Sequence, residues 1–213
     1  MNLHEWTLLF KTTIALMAIV NPFGGIPIFI STTRDWSAAE RARVARTVAI
    51  TVFIVLILSL FLGDRLLMFF GISTSSFLVG GGILILLMAL SMLQAKESPI
   101  RQTPEEAEEA SERQAIGVVP LGIPLLAGPG AISSIIIAAH RAQGSFLGHV
   151  KLVLPILIIS LLVWGVFLLA VRIANRLGTT GLNIVTRLMG LILAAMSVEF
   201  IARGLGELFP KLL

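Results

Sequence analysis

Polar positions are confined to short intervals along the chain, and between them lie six apolar runs, at 8–30, 44–62, 76–93, 116–139, 152–171 and 182–201. Each has about the 20 residues that a helix needs to cross a hydrocarbon core. The pattern predicts an all-α membrane protein with six transmembrane helices. Two of the runs are interrupted. In the first, Asn21-Pro22-Phe23-Gly24-Gly25-Ile26-Pro27 collects helix breakers inside a segment that must otherwise be helical. Pro22 lacks an N–H and pushes Asn21 out of the α region, while the glycines weaken the helix further. Asn21 is a good N-cap and Pro22 a good first helical residue, so a second, shorter helix is expected to start there. In the fourth run, Ala127-Gly128-Pro129-Gly130-Ala131-Ile132-Ser133-Ser134 repeats the pattern, with Gly128 in the place of Asn21 and Pro129 in that of Pro22.

Pro22 and Pro129 are 107 residues apart, as are Arg65 and Arg172, and an offset of 108 pairs Gly82 with Gly190 and Met88 with Met196. This reads as an internal duplication. The chain then divides into a first three-helix repeat (1–95), a hydrophilic linker (96–114) and a second repeat (115–213). Three crossings is an odd number, so the second repeat enters from the opposite side and is inverted. The first and fourth helices are the discontinuous ones.

Several local signals refine this outline. Ser37 and Glu40 have capping-box spacing and mark the start of the second helix. Gly63-Asp64-Arg65 and Gly71-Ile72-Ser73 read as a tight link between the second and third. Gly80-Gly81-Gly82 reads as a close helix–helix approach rather than a ligand contact. The segment 94–114, with six glutamates and three basic residues, reads as a solvated linker and not a metal site.

Composition narrows the function. With 56% hydrophobic and 13% charged residues, and a mean hydropathy of +0.96, the chain is expected to be polytopic. Its formal charge of +4 is expected to lie in loops on the cytoplasmic side, not to bind nucleic acid. Arg34, Arg41, Arg43 and Arg46 cluster between the first two runs, while Arg65 stands alone between the next two. Both termini are therefore expected on the outside, periplasmic if the chain lies in a bacterial inner membrane. No Cys is present, which removes disulfides and thiolate metal sites.

Depth points to a site at the breaks. About ten residues lie between Lys11, read as a snorkelling side chain, and Asn21, so at 1.5 Å per residue the break lies about 15 Å deep, near the midplane. Broken helices meeting there are a transporter signature. Asn21, Pro22, Gly24, Gly25, Gly128, Pro129, Gly130, Ala131, Ser133 and Ser134 are the candidate substrate-binding residues. Their small side chains are expected to leave space beside the breaks, and half-helix N-termini to offer free N–H groups to a carboxylate. Carbonyls ending the preceding half-helices suit an ammonium or a cation. Arg187, about five residues into the last run, is a further candidate for the carboxylate. Glu199 and Arg203 have the spacing of an interfacial ion pair. No enzyme is expected, since no His or Lys at the midplane could activate Ser133 or Ser134.

At these residues the chain resembles the MarC family of integral membrane proteins. The resemblance rests on Asn21-Pro22-Phe23-Gly24 and Ala127-Gly128-Pro129-Gly130, supported by Phe70-Gly71-Ile72-Ser73, Gly80-Gly81-Gly82-Ile83, Pro120-Leu121-Gly122-Ile123-Pro124 and Thr186-Arg187-Leu188-Met189-Gly190. It implies a carrier of small neutral amino acids such as glycine, alanine and serine, with six helices in two inverted repeats. The chain departs from many relatives at Phe77-Leu78-Val79-Gly80, where they carry an Arg after the Phe, so Arg187 has no paired arginine. The expectation is a secondary transporter working by alternating access. A coupling cation, H+ or Na+, is compatible with it, and no other cofactor is expected. The rivals are an exporter or channel-like pore for small polar solutes, and a membrane scaffold without substrate. The sequence assigns no oligomeric state.

Overall fold

The structure is a computed structural model that describes residues 3–33, 36–94, 126–141 and 146–210. Seven helices and no strand occur among the described residues: α1 (Leu3–Val20), α2 (Ile26–Thr32), α3 (Ala38–Phe69), α4 (Thr74–Leu93), α5 (Pro129–Arg141), α6 (Phe146–Leu168) and α7 (Ala170–Leu208). The linker at 95–125, with the first part of the fourth apolar run and its Pro120 to Pro124 motif, lies outside the described residues, as do Arg34 and Asp35.

Four helices, α3, α4, α6 and α7, are long and apolar enough to cross a membrane. Their outward surfaces carry Ile54, Leu58, Leu161, Leu188 and Leu191, all exposed, while Leu56, Leu60, Ile159 and Leu193 are buried. A helix apolar on both sides has no face for water and belongs in hydrocarbon. The apolar parts of α1 and α5 are shorter, Leu9–Val20 and Pro129–His140, at 12 residues each too short to span alone.

These two short helices occupy the centre. On α1, Leu16, Ala18, Ile19 and Val20 are almost wholly buried, as are Ala131, Ile135 and Ile137 on α5. The α4–α7 pair packs along one flank and the α3–α6 pair along the other. Between them α1 touches α5, α6 and α7, while α5 touches α1, α3 and α4.

Small residues make these approaches possible. A methyl group at Gly82 would lie 2.8 Å from Ile201 Cγ1 and 3.1 Å from the Ser197 carbonyl oxygen, and one at Gly204 would lie 2.7 Å from the Ser75 carbonyl oxygen. Backbones this close explain why α4 and α7 share the most extensive interface. The reading of the glycine triplet as a packing device holds for Gly81, set against Ser133 of α5, and for Gly82, whereas Gly80 faces open space.

Local signals in the sequence decide several helix ends. Ser37 and Glu40 form the expected capping box at the start of α3. The hydroxyl of Ser73 accepts the Ser76 N–H and caps α4. Glu199 and Arg203 pair on α7, with Arg203 Nε donating to Glu199 Oε1 at 2.6 Å.

Two boundaries differ from expectation. The link between the second and third runs begins later, because α3 continues through Gly63-Asp64-Arg65 to Phe69. Gly63 is held in the helix by a close approach to Ile136 of α5, and the turn comes at Gly71, whose φ of 66° is readily available only to glycine. The last helix begins as expected close to Leu182, just after Gly178, where φ 62° and ψ 179° are non-helical, and a short helical segment from Ala170 leads into that kink. The second difference lies at the first break.

Candidate functional site

Asn21 does not cap a following helix. Its N–H donates to the Met17 carbonyl at 3.0 Å, closing the last turn of α1, and its φ of 43° is left-handed, a conformation Asn tolerates better than most residues. The residue therefore ends one helix. Gly24 N–H then donates to the Asn21 carbonyl at 3.1 Å and also to its side-chain Oδ1 at 3.3 Å, so residues 22–25 form a turn. Helix α2 begins only at Ile26, with Gly25 at its N-cap and Pro27 in its first turn. Pro22 was expected to be the first helical residue. The left-handed backbone before it and the two glycines after it favour the turn, and the helical geometry that suits a proline is used five residues later at Pro27.

The Asn21 side chain has a second consequence. An amide has one oxygen acceptor and an NH2 group with two donors. With Oδ1 placed on the Gly24 N–H, the nitrogen is left over. Asn21 is 1% exposed, and among the described residues Asn21 Nδ2 is the one buried side-chain polar atom without a hydrogen-bond partner. Leaving such a donor unmet costs about 1 to 3 kcal/mol, so its persistence calls for an acceptor from elsewhere.

At the second break the helix start lies where the sequence places it, while the expected half-helix before it lies outside the described residues. The carbonyl of Gly128 accepts the N–H groups of Ala131 at 3.0 Å and Ile132 at 3.1 Å, which makes Gly128 the N-cap and Pro129 the first residue of α5. Gly128, Gly130, Ala131, Ser133 and Ser134 are all buried, while Pro129 is exposed. A methyl group at Gly130 would lie 3.3 Å from Ile19 Cγ2, so the start of α5 packs against α1 two residues before Asn21. The two breaks thus share one region of the interior.

The glycines do not leave open space, contrary to expectation. At Gly25 a methyl group would come within 3.0 Å of Phe167 Cζ, and the Phe167 ring stacks on Phe29 of α2 with centroids 4.7 Å apart. At Gly130 the neighbours are Met88 Sδ, Ile19 and Ile85, and at Gly24 a methyl group would overlap the Asn21 amide. Glycine here permits close packing of neighbouring side chains against the turns. Phe167, Met88 and Ile19 were missed in the sequence because each is an ordinary apolar residue whose partner lies far along the chain.

Arg187 is exposed on α7 and is not buried with the break residues. Leu78, close to where many relatives were expected to carry an arginine, is buried against Gly204. The far end of α2 is fixed by the Thr33 hydroxyl on the Phe29 carbonyl at 2.6 Å and by Arg41 Nε of α3 on the Thr33 carbonyl at 3.0 Å. A guanidinium at a helix C-terminus opposes the negative end of the helix dipole. Among the described residues no group of three His, Cys, Asp or Glu could hold a metal ion. The region instead offers a neutral amide donor and the N-terminus of a 13-residue helix.

A helical integral membrane protein with two short, buried helices at its centre is the class these observations define. Comparison with known proteins agrees. Residues 6–209 match the family described as MarC family integral membrane protein. The chain is 44% identical over 210 residues to UPF0056 membrane protein YhcE of Escherichia coli (strain K12), covering 98% of this chain and 97% of that protein. It is 39% identical over 201 residues to UPF0056 membrane protein YvbG of Bacillus subtilis (strain 168), covering 93% and 94% of the two chains. With UPF0056 membrane protein MJ1677 of Methanocaldococcus jannaschii it shares 37% identity over 207 residues, 96% of this chain and 98% of the other. No solved structure matches. The chain belongs to the MarC family.

Proposed function

We propose that the protein is a secondary transporter of small neutral amino acids of the glycine, alanine and serine type, working by alternating access around the two breaks. The observation that carries the reading is the buried Asn21 amide nitrogen, unpartnered among the described residues, beside a second break whose helix start packs two residues away. A substrate carboxylate is the complementary group. It would accept from Asn21 Nδ2 and from the Gly130 N–H, the first-turn donor of α5 not already given to Gly128, at a helix end whose dipole places about half a positive charge there. The two halves contribute unequally, since α2 starts too far on for its N-terminus to take the role expected of it. Backbone carbonyls at the breaks suit the ammonium or a coupling cation, H+ or Na+.

An inverted repeat supports alternating access, because two similar halves can rock about one site. Under the 107-residue offset α5 answers to α2, α6 to α3 and α7 to α4, so the contacts of α5 with α3 and α4 answer to those of α2 with α6 and α7. On this reading the chain has six crossings in a bacterial inner membrane, with both termini periplasmic, and performs no covalent chemistry.

Counterflow tests the proposal. Proteoliposomes preloaded with unlabelled glycine should accumulate labelled glycine or alanine transiently and saturably. A pore would equilibrate label without overshoot. Purified, folded protein that neither binds nor exchanges any small amino acid would leave a scaffold role and defeat the proposal.

A further inference from the structure

Away from the breaks, α3 and α6 enclose a groove that the transport reading does not use. The helices run antiparallel: Phe61, late in α3, stacks on His149, early in α6, with centroids 6.0 Å apart, while Arg46, early in α3, lines a common cavity with Trp164, late in α6. That cavity measures about 260 Å³ and is walled by Arg46, Ile50 and Phe53 on one side and Leu157, Leu161 and Trp164 on the other. Ile50 is 46%, Leu157 43%, Leu161 53% and Trp164 41% exposed. Large apolar side chains this open on membrane-spanning helices face hydrocarbon, so the groove opens to lipid.

Its polarity is confined to one residue. Ser160 also lines the groove, but its hydroxyl already donates to the Ile156 carbonyl at 2.9 Å. Arg46 is the one charged side chain in the wall, and among the described residues it has no carboxylate partner. From Arg46 to Asp64 α3 carries no other charge, and those 18 residues span about 27 Å, close to the hydrocarbon thickness. Arg46 therefore stands at the level of the headgroup phosphates of one leaflet, Arg43 lies one turn further out, and Trp164 is of the residue type that favours the same interface.

We infer that this groove is a binding site for an anionic phospholipid, with an acyl chain between α3 and α6 and the phosphate on Arg46. A guanidinium matches a phosphate bidentately, and an uncompensated headgroup charge matches the basic turn formed by Arg43 and Arg46. A second copy of the chain fits less well. A twofold contact across this face would bring two Arg46 side chains into an apolar interface without counter-charges.

The test uses full-length protein in detergent, delipidated and then titrated with phosphatidylglycerol or phosphatidylcholine, read by native mass spectrometry and thermal shift. The wild type should retain phosphatidylglycerol about tenfold more tightly, the scale of one charge-assisted contact. Arg46→Gln should erase that preference while still binding both lipids, Arg46→Lys should keep most of it, and Ala49→Leu, at a buried residue that also lines the groove, should weaken both. No preference in the wild type, or an undiminished one in Arg46→Gln, overturns the assignment. So does efficient disulfide dimerisation of Ile50→Cys in native membranes, which would make this face a contact between copies.

Discussion

The side-chain oxygen of Asn21 accepts the Gly24 N–H at 3.3 Å, and this contact determines which end of the Asn21 amide is left without a partner. The turn thereby holds a buried donor in place. On the transport reading, preorganisation of this kind costs stability in the empty protein and returns it when a carboxylate binds.

Substitutions at Asn21 separate the two effects. Leu is a poor probe, since φ 43° would strain it, but Gly accepts that backbone and Asp keeps the acceptor for Gly24. Asn21→Gly should leave the melting temperature unchanged or slightly higher, because an unmet donor is removed. It should still weaken glycine binding about tenfold or more, the consequence of losing about 1 to 3 kcal/mol. Asn21→Asp should weaken binding further, by setting a carboxylate against the substrate's own. Ser134→Ala should cost less than either. Calorimetry on the purified variants decides, and unchanged glycine affinity in both Asn21 variants would move the carboxylate site towards Arg187.

On the transport reading Phe167 should set the selectivity of the first break, because its ring lies against Gly25. Gly25→Ala should displace it, at a cost of about 1 to 3 kcal/mol for overpacking, and should exclude serine before glycine. Phe167→Leu in the same chain should restore part of both losses. Transport competition across a glycine, alanine, serine and threonine series measures the effect. Additive losses in the double variant would mean that the two positions are not coupled.

The glycine triplet of α4 yields a stability series. Gly80→Ala meets nothing within 4 Å and should raise the melting temperature, with a gain of up to about 1 kcal/mol from helix propensity. Gly82→Ala and Gly204→Ala meet backbone oxygens that cannot move aside and should each lose about 1 to 3 kcal/mol. Thermal unfolding in one detergent compares all three. Equal behaviour of Gly80→Ala and Gly82→Ala would contradict the α4–α7 packing.

Orientation can be read cleanly because the chain has no cysteine. Ala39→Cys and Ile72→Cys place thiols at exposed sites near opposite ends of α3, sparing the capping serines Ser37 and Ser73. In intact cells an impermeant maleimide should label only Ile72→Cys. Labelling of Ala39→Cys alone would reverse the assigned topology.

What the sequence by itself determined is whatever depends on neighbours along the chain. Asn21-Pro22 had to interrupt its helix, Gly128-Pro129 and Ser37 with Glu40 had each to start one, and the apolar blocks had to lie in lipid, because each follows from backbone geometry or from the cost of burying unmet polar groups. Local chemistry also placed Gly128 and Pro129 correctly at the start of α5. Tertiary structure decided the rest. Whether Asn21 would cap the helix after it or close the one before it turned on a left-handed backbone angle that several local sequences permit. Whether a glycine meant space or contact turned on what came to lie beside it: Phe167 at Gly25, Ile136 at Gly63, nothing at Gly80. Those partners are up to 142 residues distant in the chain and apolar, so no period or motif announces them. They are selected by packing density, which only the assembled bundle can evaluate.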